Sequence, residues 1–381
     1  MRCAPSHRRR NITIDLGGSS LAALIASTGS ADDESGGSMD ELALLLSNLD
    51  VRVAGRVIQR RSAPDPATFI GGGKALEVAG FARSVGVGLL VVDGALTPTQ
   101  RSNLKKICGL EVWDRTFTIM KIFERRANTS EARLQVELAM LRYEIPSLKG
   151  LGRQMSRLGG GIGTRGPGET EFERHRRKLE RRIKRIERIL GEVRGRRERR
   201  RQRRSRDGSR TVSLVGYTNS GKSSLLRALS GDLGIVSEDR LFSTLDTVTR
   251  RVEDRGGRGF LLSDTVGFIR RLPPELVAAF RATLEEVSNA DLLLLVLDAA
   301  SPEPMASFEI VMDTLRDIGA DEIPRLVVLN KMDIAHEESV FVSAGLSGLG
   351  EESVPVSALT GQGLRELVCA TSDKLFEMGK R

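Results

Sequence analysis

The stretch GYTNSGKS, residues 216–223, decides the fold of the C-terminal part of this chain of 381 residues. It follows the β-branched run TVSLV and precedes SLLRALSG, so a strand, a glycine-rich loop and a helix are expected in succession. In the pattern GxxxxGK followed by Ser or Thr, backbone N–H groups at a helix N-terminus surround phosphate. The predicted phosphate-binding residues are Gly216, Tyr217, Thr218, Asn219, Ser220, Gly221, Lys222 and Ser223.

A second segment, FLLSDTVG, predicts the metal side of the same site. Lys222 is expected to reach the β and γ phosphates, and the Ser223 hydroxyl to bind Mg²⁺. Asp264 ends an apolar strand, where it is expected to hold Mg²⁺ through a water molecule, and the Gly267 N–H is expected to contact a γ-phosphate. The predicted contacts of this segment are Asp264, Thr265, Val266 and Gly267.

A third segment, RLVVLNKMD, predicts recognition of guanine. The Asn330 and Asp333 side chains can hydrogen-bond the guanine edge, and the stem of Lys331 can lie over the base. Adenine would leave a buried carboxylate unpaired at a cost of about 1–3 kcal/mol, so GTP is expected to bind at least about tenfold better than ATP. The base-side residues are Asn330, Lys331, Met332 and Asp333, with Ser357 and Ala358 from VPVSALTGQG.

The residue after Gly267 raises a question about hydrolysis. In DTVGFIRR, residues 264–271, Phe268 stands where many related switches place a glutamine that orients the attacking water. A phenyl ring can neither position water nor stabilise charge, so the free protein is expected to hydrolyse GTP slowly. Packing of the ring against the sheet or a neighbouring domain is one interpretation, and Arg270 and Arg271 are considered as charge donors.

The charge of the chain is concentrated in one segment. The net charge is +9, yet residues 174–206 alone carry 18 Lys and Arg against 4 Glu. Segments this basic usually bind nucleic acid or an anionic membrane, whereas a solvated helix face or a disordered linker is the alternative. No apolar run reaches the about 18 residues of a membrane span. The odd number of cysteines favours reduced thiols and a cytoplasmic location; they are Cys3, Cys108 and Cys369.

Upstream of the phosphate-binding loop, the pattern predicts three regions. Residues 1–38, rich in Gly, Ser and Asp with one possible strand at NITIDL, are expected to be a flexible segment. Residues 39–127 alternate between helix and strand patterns, which predicts a small α/β domain with parallel strands. Residues 128–206 are predicted to form a helical arm, and residues 207–381 the nucleotide-binding domain.

The arm is predicted from two narrow apolar seams. One follows residues 134, 138, 141 and 145 and the other residues 179, 183, 186, 190 and 193, which is typical of a long antiparallel helix pair. Between them, GLGRQMSRLGGGIGTRGPGETEFE, residues 150–173, is interpreted as a glycine-rich loop. Arg153, Arg157 and Arg165 in this loop are the candidate RNA contacts, because guanidinium groups bind phosphate; a simple flexible connection is the alternative.

The motifs together resemble one family of the translation-factor-related P-loop GTPases. GYTNSGKSSLL, LFSTLDTVTR, DTVGFIRRLP and NKMD, with LQVELAMLRYEIPSLKG and GGGIGTRGPGETEFE upstream, look like the HflX family of ribosome-associated GTPases. The resemblance runs from about Met39 to the end of the chain. It implies a small N-terminal α/β domain with a long antiparallel helical arm, followed by a Ras-like P-loop GTPase domain.

The resemblance also implies roles and partners. The effector-loop threonine falls on Thr244, the second expected Mg²⁺ ligand beside Ser223, and the catalytic roles fall on Lys222, Thr244 and Gly267. The effector loop adds Phe242, Ser243, Leu245 and Asp246 to the expected nucleotide contacts. The implied partners are GTP, GDP and the large ribosomal subunit with its RNA, bound by a monomer that splits or rescues stalled ribosomes. A GTP-dependent regulator of a protein or membrane partner is the alternative function.

Overall fold

The computed structural model describes residues 12–14, 22–29, 35–158, 167–206, 209–232, 234, 241–242, 245–270, 281–335 and 339–378. The chain divides into two compact units. The N-terminal unit contains Met1–Arg125 and Glu137–Arg185, and the second unit, named the GTPase unit for its predicted domain, contains Arg126–Val136 and Ile186–Arg381. Each unit has its own sheet, as the two alternating patterns of the sequence predicted.

The described part of the N-terminal unit contains a sheet of five strands in the order β1-β3-β2-β4-β5. Neighbouring strands are parallel except that β1 is antiparallel to β3. The strands are β1 (Ile12–Ile14), β2 (Ala22–Gly29), β3 (Arg52–Arg60), β4 (Leu89–Val92) and β5 (Glu111–Asp114). The predicted α/β layer with parallel strands is therefore confirmed.

Helices of the N-terminal unit follow these strands in sequence. They are α1 (Ser35–Ser47), α2 (Gly72–Val85), α3 (Pro98–Cys108) and α4 (Arg115–Arg126). Local sequence explains α3: Thr97 and Gln100 form a capping box, and Pro98 occupies the first turn, where its missing N–H costs nothing. Apolar residues of α2, α3 and the strands form one buried core, including Val78, Leu90 and Leu104.

The expectation of a flexible segment over residues 1–38 is wrong for β2. This strand lies between β3 and β4, and Leu24 and Ile25 are fully buried. The sequence AALIASTG gives a weak strand signal because Ala, Ser and Gly have low β-propensity. Its place in the sheet comes from burial between two neighbouring strands, so the α/β domain begins well before Met39.

Two long helices form the predicted arm. They are α5 (Ser130–Leu158) and α6 (Pro167–Arg206), and the 40 residues of α6 correspond to a length of about 60 Å. Within the N-terminal unit, Arg182 binds Glu137 through two hydrogen bonds of 2.6 and 2.7 Å. Within the GTPase unit, Arg197 donates to Glu131 at 2.9 Å. The later residue of α6, Arg197, binds the earlier residue of α5, Glu131, so the two helices are antiparallel as predicted.

The loop predicted over residues 150–173 is wrong in extent. Helix α5 continues to Leu158 and α6 begins at Pro167, so Arg153 and Arg157 lie on a helix, and Arg165 lies outside the described residues. Glycine in a helix costs only about 1 kcal/mol relative to alanine. Apolar residues at 148, 151, 155 and 158 continue the helical spacing past these glycines, which the sequence interpretation undervalued.

The described strands of the GTPase unit form a sheet in the order β11-β10-β9-β6-β8-β7. They are β6 (Arg210–Gly216), β7 (Val248–Glu253), β8 (Gly259–Asp264), β9 (Leu292–Asp298), β10 (Arg325–Asn330) and β11 (Ser353–Pro355). All neighbours are parallel except β7, which is antiparallel to β8. Because β8 and β9 lie on opposite sides of β6, the strand order reverses there, and ligands of such sheets bind at the carboxyl ends beside this point.

Helices cover both faces of this sheet. They are α7 (Lys222–Ser230), α8 (Arg281–Ser288), α9 (Pro304–Asp317), α10 (Ser339–Gly348) and α11 (Leu364–Met378). Alternate residues of β9 enter two separate cores, with Leu293 and Leu295 in one and Leu292 and Leu294 in the other. A strand that is buried on both faces has apolar side chains at successive positions, which explains the sequence LLLLVLD.

Replacement of Leu24 by alanine tests the burial of β2. The cavity left by Leu24→Ala is expected to lower the free energy of unfolding of the N-terminal unit by about 2–5 kcal/mol. The matched control is Leu76→Ala on α2, where the side chain is 63% exposed; it is expected to change stability by less than about 0.5 kcal/mol. Denaturant unfolding of both variants measures the difference, and equal effects would contradict a core position for Leu24.

Candidate nucleotide-binding site

The predicted phosphate-binding loop connects β6 to α7. Gly221 has φ of 92°, in the left-handed region that favours glycine. A Cβ atom at this position would lie 2.1 Å from Asn330 Nδ2, so the close approach of the loop to β10 also requires glycine. Asn219 has φ of 62°, a conformation that asparagine adopts more readily than most residues. The loop therefore needs both residue types found in the sequence.

Lys222 lies buried at the start of α7. Its Nζ donates to the backbone oxygens of Gly216 at 3.1 Å and Tyr217 at 2.7 Å, which holds the side chain across the loop. Burial lowers the pKa of the ammonium group from 10.5 to about 8, and the nearby Asp264 carboxylate opposes this shift. A buried cation held by neutral carbonyl groups is an electrostatic site for an anion such as phosphate.

The predicted metal ligands Ser223 and Asp264 lie together. Ser223 Oγ donates to Asp264 Oδ2 at 2.6 Å, and both side chains are buried. A hydroxyl and a carboxylate are oxygen ligands of the kind that Mg²⁺ prefers, so this pair fits the expected metal. The other expected ligand, Thr244, and its neighbour Ser243 lie outside the described residues. The Thr265 hydroxyl instead donates to the Leu214 backbone oxygen at 2.6 Å and joins β8 to β6.

Phe268 binds the phosphate-binding loop through its backbone, and Gly267 lies close to the same loop. Phe268 N–H donates to the Gly216 oxygen at 3.0 Å, and Thr218 N–H donates to the Phe268 oxygen at 2.7 Å. A Cβ atom at Gly267 would lie 2.9 Å from Thr218 Cα and 3.0 Å from Lys222 Nζ. The segment after β8 therefore lies against the phosphate-binding loop. Contact of the Gly267 N–H with a γ-phosphate stays a prediction.

The ring of Phe268 packs in the core. Its side chain is 1% exposed and lies in a cluster with Val215, Leu284 and Leu295. Packing against the sheet, one of the interpretations of the sequence, is therefore confirmed, and this residue does not orient water. The Arg270 guanidinium forms an ion pair of 2.6 Å with Glu303, and the backbone N–H of Arg270 donates to the Tyr217 hydroxyl at 3.0 Å. Arg271 lies outside the described residues.

Asn330 connects three loops at the base side of the site. Its Nδ2 donates to the Ser220 oxygen at 2.9 Å, and its Oδ1 accepts from the Ala358 N–H at 3.1 Å. The side chain is 2% exposed, so these bonds form away from water. The asparagine predicted to contact guanine thus also fixes the loops that surround the base, and its contact with guanine stays a prediction.

Asp333 and Lys331 are oriented by neighbouring side chains. Ser357 Oγ donates to Asp333 Oδ1 at 2.5 Å and accepts from the Thr360 N–H at 3.1 Å, which aligns the exposed carboxylate. Lys331 Nζ forms an ion pair of 2.7 Å with Asp298. Met332 N–H donates to the Val356 oxygen at 3.1 Å, which ties the loop to the end of β11.

Two residues of this region were not identified from the sequence. Asp298, the partner of Lys331, ends the buried run LLLLVLD in the same way that Asp264 ends β8, so its position at a strand end was a usable signal. Thr129 donates to Asp246 at 2.5 Å across 117 residues of sequence, and no local signal indicates this contact. In the effector loop, the side chains of Phe242 and Leu245 are buried, at 2% and 3% exposure.

Comparisons with known proteins give the family. Family models match three consecutive parts of the chain: residues 37–124 (GTP-binding GTPase N-terminal), 126–204 (GTP-binding GTPase Middle Region) and 211–331 (50S ribosome-binding GTPase). GTPase HflX of Caldanaerobacter subterraneus subsp. tengcongensis is 44% identical over 356 residues, which cover 93% of this chain and 81% of that protein. This chain belongs to the HflX family of GTPases. GTPase HflX of Escherichia coli is 40% identical over 341 residues, covering 88% and 79% of the two chains.

Membership of the HflX family agrees with the fold and the site. The crystal structure of the SsGBP and GDP complex has a TM-score of 0.51 and 25% identity to this chain, covering 94% of it and 98% of SsGBP. The protein therefore binds GTP and hydrolyses it to GDP and phosphate. In the part of the chain that the structure describes, no helix is long and apolar enough to cross a membrane.

The position of Gly221 gives a test of the loop geometry. Gly221→Ala is expected to weaken binding of GDP at least about tenfold, or about 1.4 kcal/mol, because the new Cβ would displace the phosphate-binding loop from Asn330. Gly231→Ala at the other end of α7 is the matched control, since this glycine also has positive φ but a Cβ there would meet no atom within 4 Å. Titration of a fluorescent GDP analogue measures both. If Gly221→Ala binds GDP as tightly as Gly231→Ala does, the close approach of the loop to Asn330 is not required for nucleotide binding.

Proposed function

We propose that this HflX-family GTPase binds the large ribosomal subunit and uses GTP hydrolysis to split or rescue stalled ribosomes. The observation that carries the proposal is a row of exposed cations on α6, within the N-terminal unit. The row consists of Arg174, Arg177, Lys178, Arg181, Lys184 and Arg185. Among the described residues, only Arg177 of this row has an ion-pair partner, Glu173 at 3.5 Å.

The spacing of the row suits a polyanion. Arg174, Lys178, Arg181 and Arg185 are separated by 4, 3 and 4 residues, so they lie on one face of the helix over about 16 Å. Cations without local carboxylate partners keep their charge available for phosphate groups, and release of counterions from the nucleic acid then favours binding. Ribosomal RNA presents such a phosphate backbone, and the matching family model is described as a 50S ribosome-binding GTPase.

Magnesium belongs to this proposal. Ser223 and Thr244 are the proposed protein ligands, with Asp264 acting through a water molecule, and the ion would neutralise charge on the β and γ phosphates. The buried pair of Ser223 and Asp264 supports this assignment. Lys222 would hold the same phosphates from the other side, and the Gly267 N–H would contact the γ-phosphate.

Slow hydrolysis by the free protein is a further part of the proposal. Phe268 is buried in the core, so the glutamine of related switches has no replacement at this position. Arg270 pairs with Glu303, so a role for its guanidinium as a charge donor would require this partly exposed ion pair to open. Large ribosomal subunits are therefore proposed to stimulate hydrolysis by about tenfold or more, by placing the attacking water in line with the γ-phosphate.

The guanine pocket predicts a change of base specificity. Asp333→Asn is expected to weaken GTP binding by more than about tenfold and to improve binding of xanthine nucleotides, because an amide donates to the extra carbonyl of xanthine. Titration with GDP and xanthosine diphosphate measures both affinities. Asp298→Asn is the matched control, since it changes the partner of Lys331 and leaves Asp333 intact. Unchanged guanine selectivity in a folded Asp333→Asn variant would exclude this residue from base recognition.

The cation row gives the test of ribosome binding. Replacement of Arg174, Arg181 and Arg185 together by alanine is expected to weaken cosedimentation with large subunits and to reduce the slope of log affinity against log salt by roughly 2 to 3, since phosphate contacts are lost. Binding is measured with a nonhydrolysable GTP analogue. Single-turnover hydrolysis is measured with GTP. Stimulation by large subunits should fall with binding, while GTP affinity of the free protein is retained.

A matched triple variant supplies the control. Arg227, Arg255 and Arg365 are exposed arginines of the GTPase unit, and their replacement by alanine removes the same charge from a different surface. This variant is expected to bind subunits like the unaltered protein. Equal loss in both triple variants would indicate a general effect of net charge, and no binding of subunits by the unaltered protein would favour a protein or membrane partner. The loop residues Arg153, Arg157 and Arg165 stay proposed RNA contacts.

A further inference from the structure

Thr129 and Asp246 form a hydrogen bond inside the GTPase unit. Thr129 immediately precedes α5, and Asp246 lies at the C-terminal side of the effector loop, two residues after Thr244. The Thr129 hydroxyl and Asp246 Oδ1 are 2.5 Å apart. Both residues fall within the parts of the chain that form one compact unit, Arg126–Val136 and Ile186–Arg381.

The hydroxyl of Thr129 makes two hydrogen bonds of opposite sense. It accepts from the Ala132 N–H at 3.1 Å, as an N-cap residue does, and its backbone oxygen accepts from the Arg133 N–H at 3.1 Å. Its own proton is therefore donated to Asp246. The carboxylate then lies at the N-terminus of a helix of 29 residues, where unsatisfied N–H groups favour negative charge.

The Asp246 carboxylate has a charged neighbour, Glu131, at the start of α5. Burial raises the pKa of Glu131, the Arg197 guanidinium opposes the shift, and the Asp246 and Glu286 carboxylates add to it. Arg197 lies 2.9 Å from Glu131 and 4.0 Å from Glu286, so this cation is engaged by other carboxylates. Asp246 thus interacts with the like charge of Glu131, and among the described residues Thr129 donates a hydrogen bond to it.

We propose that Thr129 is a positioning residue for the effector loop. Thr244 is two residues from Asp246 and so lies within about 7 Å of it along the chain, which means that holding Asp246 restricts where Thr244 can lie. The inference rests on the proposed role of Thr244 as a Mg²⁺ ligand in the GTP complex. GDP binding depends on the phosphate-binding loop and the base loops, so the contact affects GTP more than GDP.

The linkage has a consequence for the helical arm. Since the residue that holds Asp246 is the N-cap of α5, the free energy of GTP binding and the position of the start of α5 are coupled. By reciprocity, a partner that alters the start of this helix changes the affinity for GTP by the same factor by which GTP changes the affinity for the partner. This route connects the effector loop to the arm through one hydrogen bond.

Substitutions at Thr129 separate the positioning role from the capping role. Thr129→Ser keeps both hydrogen bonds and is expected to behave like the unaltered protein. Thr129→Asp keeps an acceptor for the Ala132 N–H but has no proton to donate to Asp246 and repels it. Its affinity for a nonhydrolysable GTP analogue with Mg²⁺ is expected to fall by about fivefold or more, while its affinity for GDP and its melting temperature are retained.

An amide at position 129 supplies both hydrogen bonds. In Thr129→Asn the side-chain oxygen can accept from the Ala132 N–H and the amide N–H can donate to Asp246, so GTP-analogue affinity is expected to stay within about twofold of the unaltered protein. Equal loss of GDP and GTP-analogue affinity in Thr129→Asp, with a lowered melting temperature, would show a structural role only. Unchanged affinity for both nucleotides would also overturn the inference.

Thr244→Ala keeps this test distinct from the proposed function. If Thr244→Ala weakens the GTP analogue selectively and Thr129→Asp does not, the positioning role is wrong and the metal-ligand role of Thr244 stands. If neither variant distinguishes the GTP analogue from GDP, the metal-ligand assignment fails and the positioning inference fails with it. Ribosome binding is not needed for any of these measurements, so a failure to cosediment with subunits leaves their outcome unaffected.

Discussion

The nucleotide site depends on one buried amide. Asn330 joins the Ser220 carbonyl on one side to the Ala358 N–H on the other, so the loops after β6, β10 and β11 are held together. At 2% exposure these hydrogen bonds are shielded from water, and loss of the amide would leave buried polar groups unsatisfied at about 1–3 kcal/mol each. The close approach that the amide requires also explains why residue 221 is glycine.

The sheet determines which groups can take part in chemistry. Strand order reverses at β6, and the carboxyl ends of β6 and β8 bring Lys222, Ser223 and Asp264 to one place. The backbone of Phe268 is bonded to the phosphate-binding loop, while its ring packs in the core on one face of the sheet. Related switches have a catalytic glutamine at the position of Phe268. Because the Phe268 ring is buried, the free protein lacks a side chain at this position that could orient water.

Charge is distributed unevenly along the helical arm. The middle of α6 carries exposed cations with few carboxylate partners, whereas further along the same helix Arg194 and Arg197 bind Glu285 and Glu131. The first group is the surface proposed to bind ribosomal RNA, and the second forms ion pairs within the GTPase unit. Near the start of α5, the Thr129 hydroxyl donates to Asp246 of the effector loop, while Arg197 pairs with Glu131 and lies 4.0 Å from Glu286.

The sequence by itself determined the phosphate-binding loop, the strand-ending Asp264, the base residues after β10 and the alternating α/β pattern, because these features depend on local backbone conformation and periodicity. Only the tertiary structure decided the central position of β2, the helical state of Arg153 and Arg157, the burial of Phe268 and the bond from Thr129 to Asp246. Each of these depends on contacts between residues far apart in sequence. Burial and long-range hydrogen bonding overcome weak local propensity, and a single sequence carries no direct record of them.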